Sequence, residues 1–191
     1  MLSKKLGQRL ERPLHSLALR VPFTPNTVTL SGFVLTIVAC IVLSFHLETG
    51  GILILFSGFF DMMDGAVARA RGMVTSFGAF LDSVLDRYAD AAMLLAVFWN
   101  MVSRENTAGM LLSLISLVGS FLISYTRARA EGLGVACNLG LLERPERIVL
   151  LAIGAITGYI IPVLWIMSAL THITVIQRIR HTRSELQRGT D

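Results

Sequence analysis

The stretch Phe60-Asp61-Met62-Met63-Asp64-Gly65-Ala66-Val67-Ala68-Arg69, followed by Gly78-Ala79-Phe80-Leu81-Asp82-Ser83-Val84-Leu85-Asp86, sets four acids in otherwise apolar sequence. At the centre of a membrane helix each acid costs roughly 2.5–3.5 kcal/mol on the insertion scale, so four of them need compensation. Divalent cations supply it, because hard cations take carboxylate oxygens. Asp61 and Asp64 are three apart, and Asp82 and Asp86 four apart, so each pair shares one face of a helix. Gly78 lies one turn before Asp82 on that face, where a missing side chain admits a close approach.

Outward from this stretch the chain is apolar. It is 53% hydrophobic and only 16% charged, with mean hydropathy +0.65. That is a membrane composition. Hydrophobic spans are predicted at 26–47, 51–70, 76–100, 107–130, 146–161 and 162–179, the last boundary falling near Tyr159 to Pro162. The expected fold is an all-α integral membrane protein with six transmembrane helices. Leu2, Leu6 and Leu10 recur at helical spacing among Lys4, Lys5 and Arg9, which predicts an N-terminal amphipathic surface helix. A frayed basic terminus is the bland alternative. The chain is read as one domain over 1–191, with a juxtamembrane segment at 1–22 and the six-helix core at 23–183.

Charge sets orientation. Arg12 and Arg20 precede the first span, Arg69 and Arg71 end the second, and Arg127 and Arg129 end the fourth. Arg144 and Arg147 start the fifth, and Arg178, Arg180, Arg183 and Arg188 end or follow the sixth. With six spans all these ends share one face, and the opposite loops carry only Arg104. The positive-inside rule puts that face, both termini and the aspartates in the cytoplasm of a cell membrane. The net charge of +4 suits anionic headgroups, and no nucleic-acid motif competes for it. Pro22 and Pro25 break the chain before the first span, and Asn26 to Thr29 are expected to cap it. Cys40 in a span and Cys137 in a cytoplasmic loop do not form a disulfide framework. No cleavable signal peptide is evident, and His46 and His172 are too isolated to be ligands.

The motif D-x-x-D-G-x-x-A-R, then G-x-x-x-D-x-x-x-D, with the Thr24-Pro25-Asn26-x-x-Thr29 entry, resembles the CDP-alcohol phosphatidyltransferase family over nearly the whole chain. That resemblance implies transfer of a phosphatidyl-type group from a CDP-activated lipid to an alcohol, with CMP leaving. It implies Asp61, Asp64, Asp82 and Asp86 as ligands of Mg²⁺ or Mn²⁺, two ions in all, and Asp86 as the general base. Pro25, Asn26, Thr29, Asp61, Gly65, Ala68, Arg69 and Gly78 are implied as CDP-lipid contacts. Gly65 and Gly78 could otherwise be plain packing glycines. A homodimer is typical of the family.

A second cluster bears on the acceptor. Ser124-Tyr125-Thr126-Arg127-Ala128-Arg129-Ala130-Glu131 and Glu143-Arg144-Pro145-Glu146-Arg147 are similar to the branch that makes phosphatidylinositol phosphate and its archaeal counterpart. The resemblance implies inositol 1-phosphate as acceptor, with Ser124, Arg127, Arg147 and Arg178 around its phosphate. Arg129 is expected to pair with Glu131 or Glu143. Arg144 and Arg180 read as positive-inside anchors. Asp90 continues the Asp82–Asp86 face but lies outside the signature, with Arg87 or another buried base as its partner. Glycerol 3-phosphate and serine are the competing acceptors. A cation-coupled transporter competes as a class, but its acids would sit near the midplane between inverted repeats. A scaffolding protein would need none of the acids. No residue separates diacylglycerol from archaeol lipids.

Overall fold

The computed structural model describes residues 24–188, except the side chains of 61–66. The expected surface helix at 1–22 lies outside the described residues. Six helices follow one another: α1 Pro25–Phe45, α2 Leu47–Ala70, α3 Ser76–Ser103, α4 Thr107–Glu131, α5 Arg144–Thr157 and α6 Ile160–Arg188. No strand is present among the described residues.

Local chemistry sets the ends. Thr24, not Asn26 to Thr29, is the N-cap of α1; its side chain accepts from Thr27 N, and Pro25 follows at the first helical position. Thr75 caps α3 by accepting from Gly78 N at 3.0 Å. Asn106 caps α4 through Gly109 N at 2.8 Å. Glu143 and Glu146 form a reciprocal capping box on α5. The break expected around Tyr159 to Pro162 falls at the start of that region, between Thr157 and Ile160. Gly158 ends α5 in the left-handed region at φ 77°. Pro162 falls in the first turn of α6, where its missing N–H had no helical partner to lose. The sixth helix also runs on past 179 to Arg188.

The packed helix pairs form a closed ring: α1 against α2 and α3, α3 against α4, α4 against α6, α6 against α5, and α5 against α2. Leu43, Ile54, Val97, Met101, Leu151, Leu164 and Met167 fill its interior. The outward faces are apolar as well. Leu30, Val34, Val38, Ile41 and Phe45 make an exposed stripe along α1, and Ile173, Ile176 and Ile179 another on α6. Such stripes suit a lipid solvent, not water. By length and composition α1, α4 and α6 can each cross a membrane. Acids and bases interrupt α2 and α3, and α5, with 14 residues, rises about 21 Å.

A polar seam joins α4 to α6. Ser116 Oγ lies 2.9 Å from Ser168 Oγ, which donates to Leu112 O at 3.1 Å. Gly119 faces Thr171 there with no room for a methyl. Small residues let such backbones close together.

Candidate active site

The signature residues and most of the arginines gather at one end of the ring, where α1, α3 and α5 begin and α2, α4 and α6 end. Two cavities open there.

The first, about 280 Å³, lies between the start of α1, the end of α2 and the start of α3. Pro25, Asn26, Thr29, Ala68, Arg69, Gly78 and Asp82 all line it. Arg69 is fixed by the way α2 stops. Gly72 takes a left-handed φ of 63°, Met73 N donates to Ala68 O at 2.9 Å and Gly72 N to Arg69 O at 3.3 Å. This Schellman closure leaves Arg69 in the last helical turn, where a cation complements the helix dipole. Gly78 is needed for closeness: a methyl there would stand 3.2 Å from Asn26 Oδ1 and 3.0 Å from Thr75 Oγ1. Asp61, Asp64 and Gly65 belong to α2 by backbone, and the side chains of Asp61 and Asp64 lie outside the described ones.

The second cavity, about 230 Å³, brings together Asp86, Ser124, Arg127, Arg147 and Arg178, together with Asp90 and Arg144. The resemblance named the first five; the last two it left as an unassigned acid and a membrane anchor. Arg144 Nη1 lies 2.8 Å from Asp86 Oδ1, and its Nε 3.5 Å from Asp90 Oδ1. Arg147 Nη2 lies 2.6 Å from Asp90 Oδ2, and both residues are buried. Arg147 Nη1 also donates to Leu142 O at 3.2 Å. Arg178 is buried too, and donates to Leu139 O at 2.7 Å and to Ile123 O at 2.5 Å. Arg127 Nε donates to Glu131 Oε1 at 2.8 Å, and Nη2 to Asn138 Oδ1 at 3.4 Å. Arg127, not Arg129, therefore takes Glu131, because the i,i+4 spacing aligns the two on one helix face. Arg87, the other partner considered for Asp90, turns back to Ser83 O at 2.6 Å and lies 3.7 Å from Asp86.

Three of these bases thus bind the segment between α4 and α5 while facing the cavity. Leu141 N, which donates to Thr174 Oγ1 at 3.3 Å, adds a further tie from α6. A wider cleft of about 890 Å³ between α3 and α4 shares Asp86, Ser124 and Arg127, with Phe80, Val84, Tyr88 and Phe121 as its apolar wall. The site therefore meets both polar and lipid-like surroundings.

The donor chemistry fits a hard divalent cation. The acids lining the two polar cavities are Asp82, Asp86, Asp90 and Glu143, with no histidine or cysteine among the described lining residues. Oxygen-only donors suit Mg²⁺ or Mn²⁺. Among the described residues no three such side chains gather into one metal cluster.

Known proteins are similar to this chain in sequence and in fold. The chain is 39% identical to the phosphatidylinositol phosphate synthase of Mycobacteroides abscessus, over 96% of this chain and 88% of that one. It is 36% identical to the archaetidylinositol phosphate synthase of Methanothermobacter thermautotrophicus, over 93% and 92%. The crystal structure of Mycobacterium tuberculosis phosphatidylinositol phosphate synthase with CDP-DAG bound superposes with a TM-score of 0.81 at 33% identity, covering 91% of this chain and 94% of that one. A second structure of that enzyme, in complex with manganese and citrate, gives the same TM-score over 90% and 88%. The CDP-alcohol phosphatidyltransferase family model matches residues 23–179, and the chain, a membrane enzyme of phospholipid synthesis, belongs to that family.

Proposed function

We propose that this protein transfers a phosphatidyl-type group from a CDP-activated lipid, CDP-diacylglycerol or CDP-archaeol, to a hydroxyl of inositol 1-phosphate and releases CMP. The observation that carries the acceptor is the second cavity, where Ser124, Arg127, Arg147 and Arg178 line the same space as Asp86. A phosphorylated acceptor needs bases beside the reacting hydroxyl; serine does not. The relatives that make phosphatidylinositol phosphate and archaetidylinositol phosphate support inositol phosphate over glycerol 3-phosphate.

In this reading the cytidine diphosphate lies in the first cavity. Asn26 and Thr29 approach the nucleotide, Gly78 leaves room for it, and the planar fork of Arg69 binds diphosphate oxygens. Asp61, Asp64, Asp82 and Asp86 hold the divalent cations, two Mg²⁺ or Mn²⁺ ions. When bound, these neutralise the diphosphate and stabilise the leaving oxygen. The acceptor phosphate sits among Arg127, Arg147 and Arg178, with Ser124 donating its hydroxyl proton. That aims the acceptor hydroxyl at the lipid-bearing phosphorus and supplies the positioning on which phosphoryl transfer depends. Asp86 takes the hydroxyl proton as the new oxygen–phosphorus bond forms. The bond from that phosphorus to the bridging oxygen breaks, and CMP leaves with the electron pair. Arg144, 2.8 Å from Asp86, fixes the direction of that carboxylate.

The wider reading is a single membrane domain whose six helices all cross or enter the bilayer. Both termini and the site face the cytoplasm, and the protein works as a homodimer. CMP release by purified protein tests the reaction, with CDP-diacylglycerol, Mg²⁺ and, in parallel, inositol 1-phosphate, inositol, glycerol 3-phosphate and serine. Release only with inositol 1-phosphate is expected. Release only with another alcohol would refute the acceptor, and none with either CDP-diacylglycerol or CDP-archaeol would refute the reaction.

A further inference from the structure

Asp90 lies one turn beyond the signature, on the face that carries Asp82 and Asp86, and is 8% exposed. Its two oxygens are divided between two bases of α5: Oδ2 meets Arg147 Nη2 at 2.6 Å, and Oδ1 faces Arg144 Nε at 3.5 Å. Arg144 continues to Asp86 at 2.8 Å. The result is an alternating chain, Asp86–Arg144–Asp90–Arg147, that reaches across the ring from α3 to α5 and ends in the second cavity.

We propose that Asp90 is a positioning residue for the acceptor: its carboxylate holds Arg147 in the orientation in which it meets the acceptor phosphate. The inference rests on reading the second cavity as the acceptor site. Arg147 is held from two sides. Asp90 takes one terminal nitrogen and Leu142 O the other at 3.2 Å. A guanidinium fixed at both ends cannot rotate, and its remaining N–H groups keep one direction. Arg presents a planar fork, so its orientation decides whether it meets phosphate oxygens in pairs. Charge leads to the same conclusion. Arg87, Arg127, Arg144, Arg147 and Arg178 all border this cavity. Like charges in a confined space repel, and Asp90 is the buried carboxylate that holds Arg147 and lies 3.5 Å from Arg144 before the substrate anion arrives. Distance along the chain adds a third reason. Asp90 and Arg147 are 57 residues apart, so the pair fixes the start of α5, and hence the floor of the cavity, to the helix that carries Asp86.

The test is steady-state kinetics of full-length protein in detergent, with CMP affinity in Mn²⁺ as the check on fold and nucleotide site. Asp90→Asn keeps the shape and removes the charge. It should raise KM for inositol 1-phosphate about tenfold or more, while KM for CDP-diacylglycerol and the affinity for CMP change less than about threefold. In an Arg147→Gln background the same change should add less than about twofold, since the fork it positions is already gone. Asp90→Glu serves if the Asn variant does not fold: the charge stays, the extra methylene displaces the fork, and acceptor KM rises while CMP affinity holds. A folded variant with wild-type acceptor KM overturns the proposal, as does equal damage to acceptor and CDP-lipid, which is what a purely structural pair would give. Wild-type protein that releases CMP only with an unphosphorylated alcohol overturns the acceptor reading, and the role of Asp90 falls with it.

Discussion

Gly119→Ala should loosen the acceptor cavity without touching it. Gly119 is buried in the α4–α6 seam. A methyl there would collide with Thr171 Oγ1, and would stand 2.7 Å from Thr171 Cβ and 3.0 Å from His172 Cε1. Thr171 is fully buried, and its hydroxyl donates to Ser168 O at 3.2 Å. The side chain therefore has nowhere to turn, and the helices must part. Overpacking of this kind costs about 1–3 kcal/mol, offset in part by the gain of up to ~1 kcal/mol when glycine leaves a helix interior. A net loss of about 1–2 kcal/mol corresponds to a Tm drop of roughly 2–8 °C for a chain of this size. The functional effect follows from what the two helices carry. Ser124 and Arg127 follow Gly119 on α4, and Arg178 follows Thr171 on α6. Separating the seam moves these groups apart, and sub-ångström displacement should raise KM for inositol 1-phosphate about three- to tenfold. Thermal unfolding and acceptor kinetics in one detergent read both numbers. Thr171→Ala, which removes the colliding hydroxyl, should restore part of each. An unchanged Tm, or an acceptor KM that stays at the wild-type value while Tm falls, would refute the reasoning.

Other outcomes follow from single residues. Asp86→Asn should abolish turnover while CDP-lipid binding, measured by equilibrium binding of labelled donor, stays within about threefold; loss of binding with the fold intact would make Asp86 chiefly a metal ligand. Gly78→Ala pushes on Asn26 Oδ1 and Thr75 Oγ1 and should weaken CMP binding about three- to tenfold by calorimetry; unchanged affinity would remove Gly78 from the nucleotide site. Chelation of divalent ions should abolish both CMP release and stabilisation by CMP, with Mg²⁺ or Mn²⁺ restoring both; turnover that survives chelation would sink the metal assignment. Arg178→Gln deletes charged hydrogen bonds to Leu139 O and Ile123 O, each worth about 1.5–3 kcal/mol. It should speed proteolysis between residues 132 and 143, and resistance equal to wild type would show that other ties suffice.

What could be read in the sequence was whatever a helix fixes locally. Asp82 and Asp86 share a face because four residues nearly complete a turn. Pro25, Asn26, Thr29, Arg69 and Gly78 reach one cavity because each stands at a helix end on the polar side. The helix ends were legible only to within a few residues. The break before α6 comes at the start of the expected Tyr159–Pro162 region, since the left-handed Gly158 stops a helix and a proline in the first turn does not. The long-range partners of the bases were not legible at all. Arg144 carries the same charge as any positive-inside anchor, and only the ion pairs reaching from α5 to α3 show that it faces Asp86 and Asp90. Arg127 turned to Glu131 for a local reason that spacing alone did offer, since i,i+4 pairs meet and i,i+2 pairs do not. Arg178 differs again: its carbonyl partners lie 39 and 55 residues away, and no side-chain pattern encodes a backbone acceptor. The acids of the signature are thus legible because their spacing along the helix sets the face they share. The bases have to be found in three dimensions, because their partners lie on helices and loops far away in sequence.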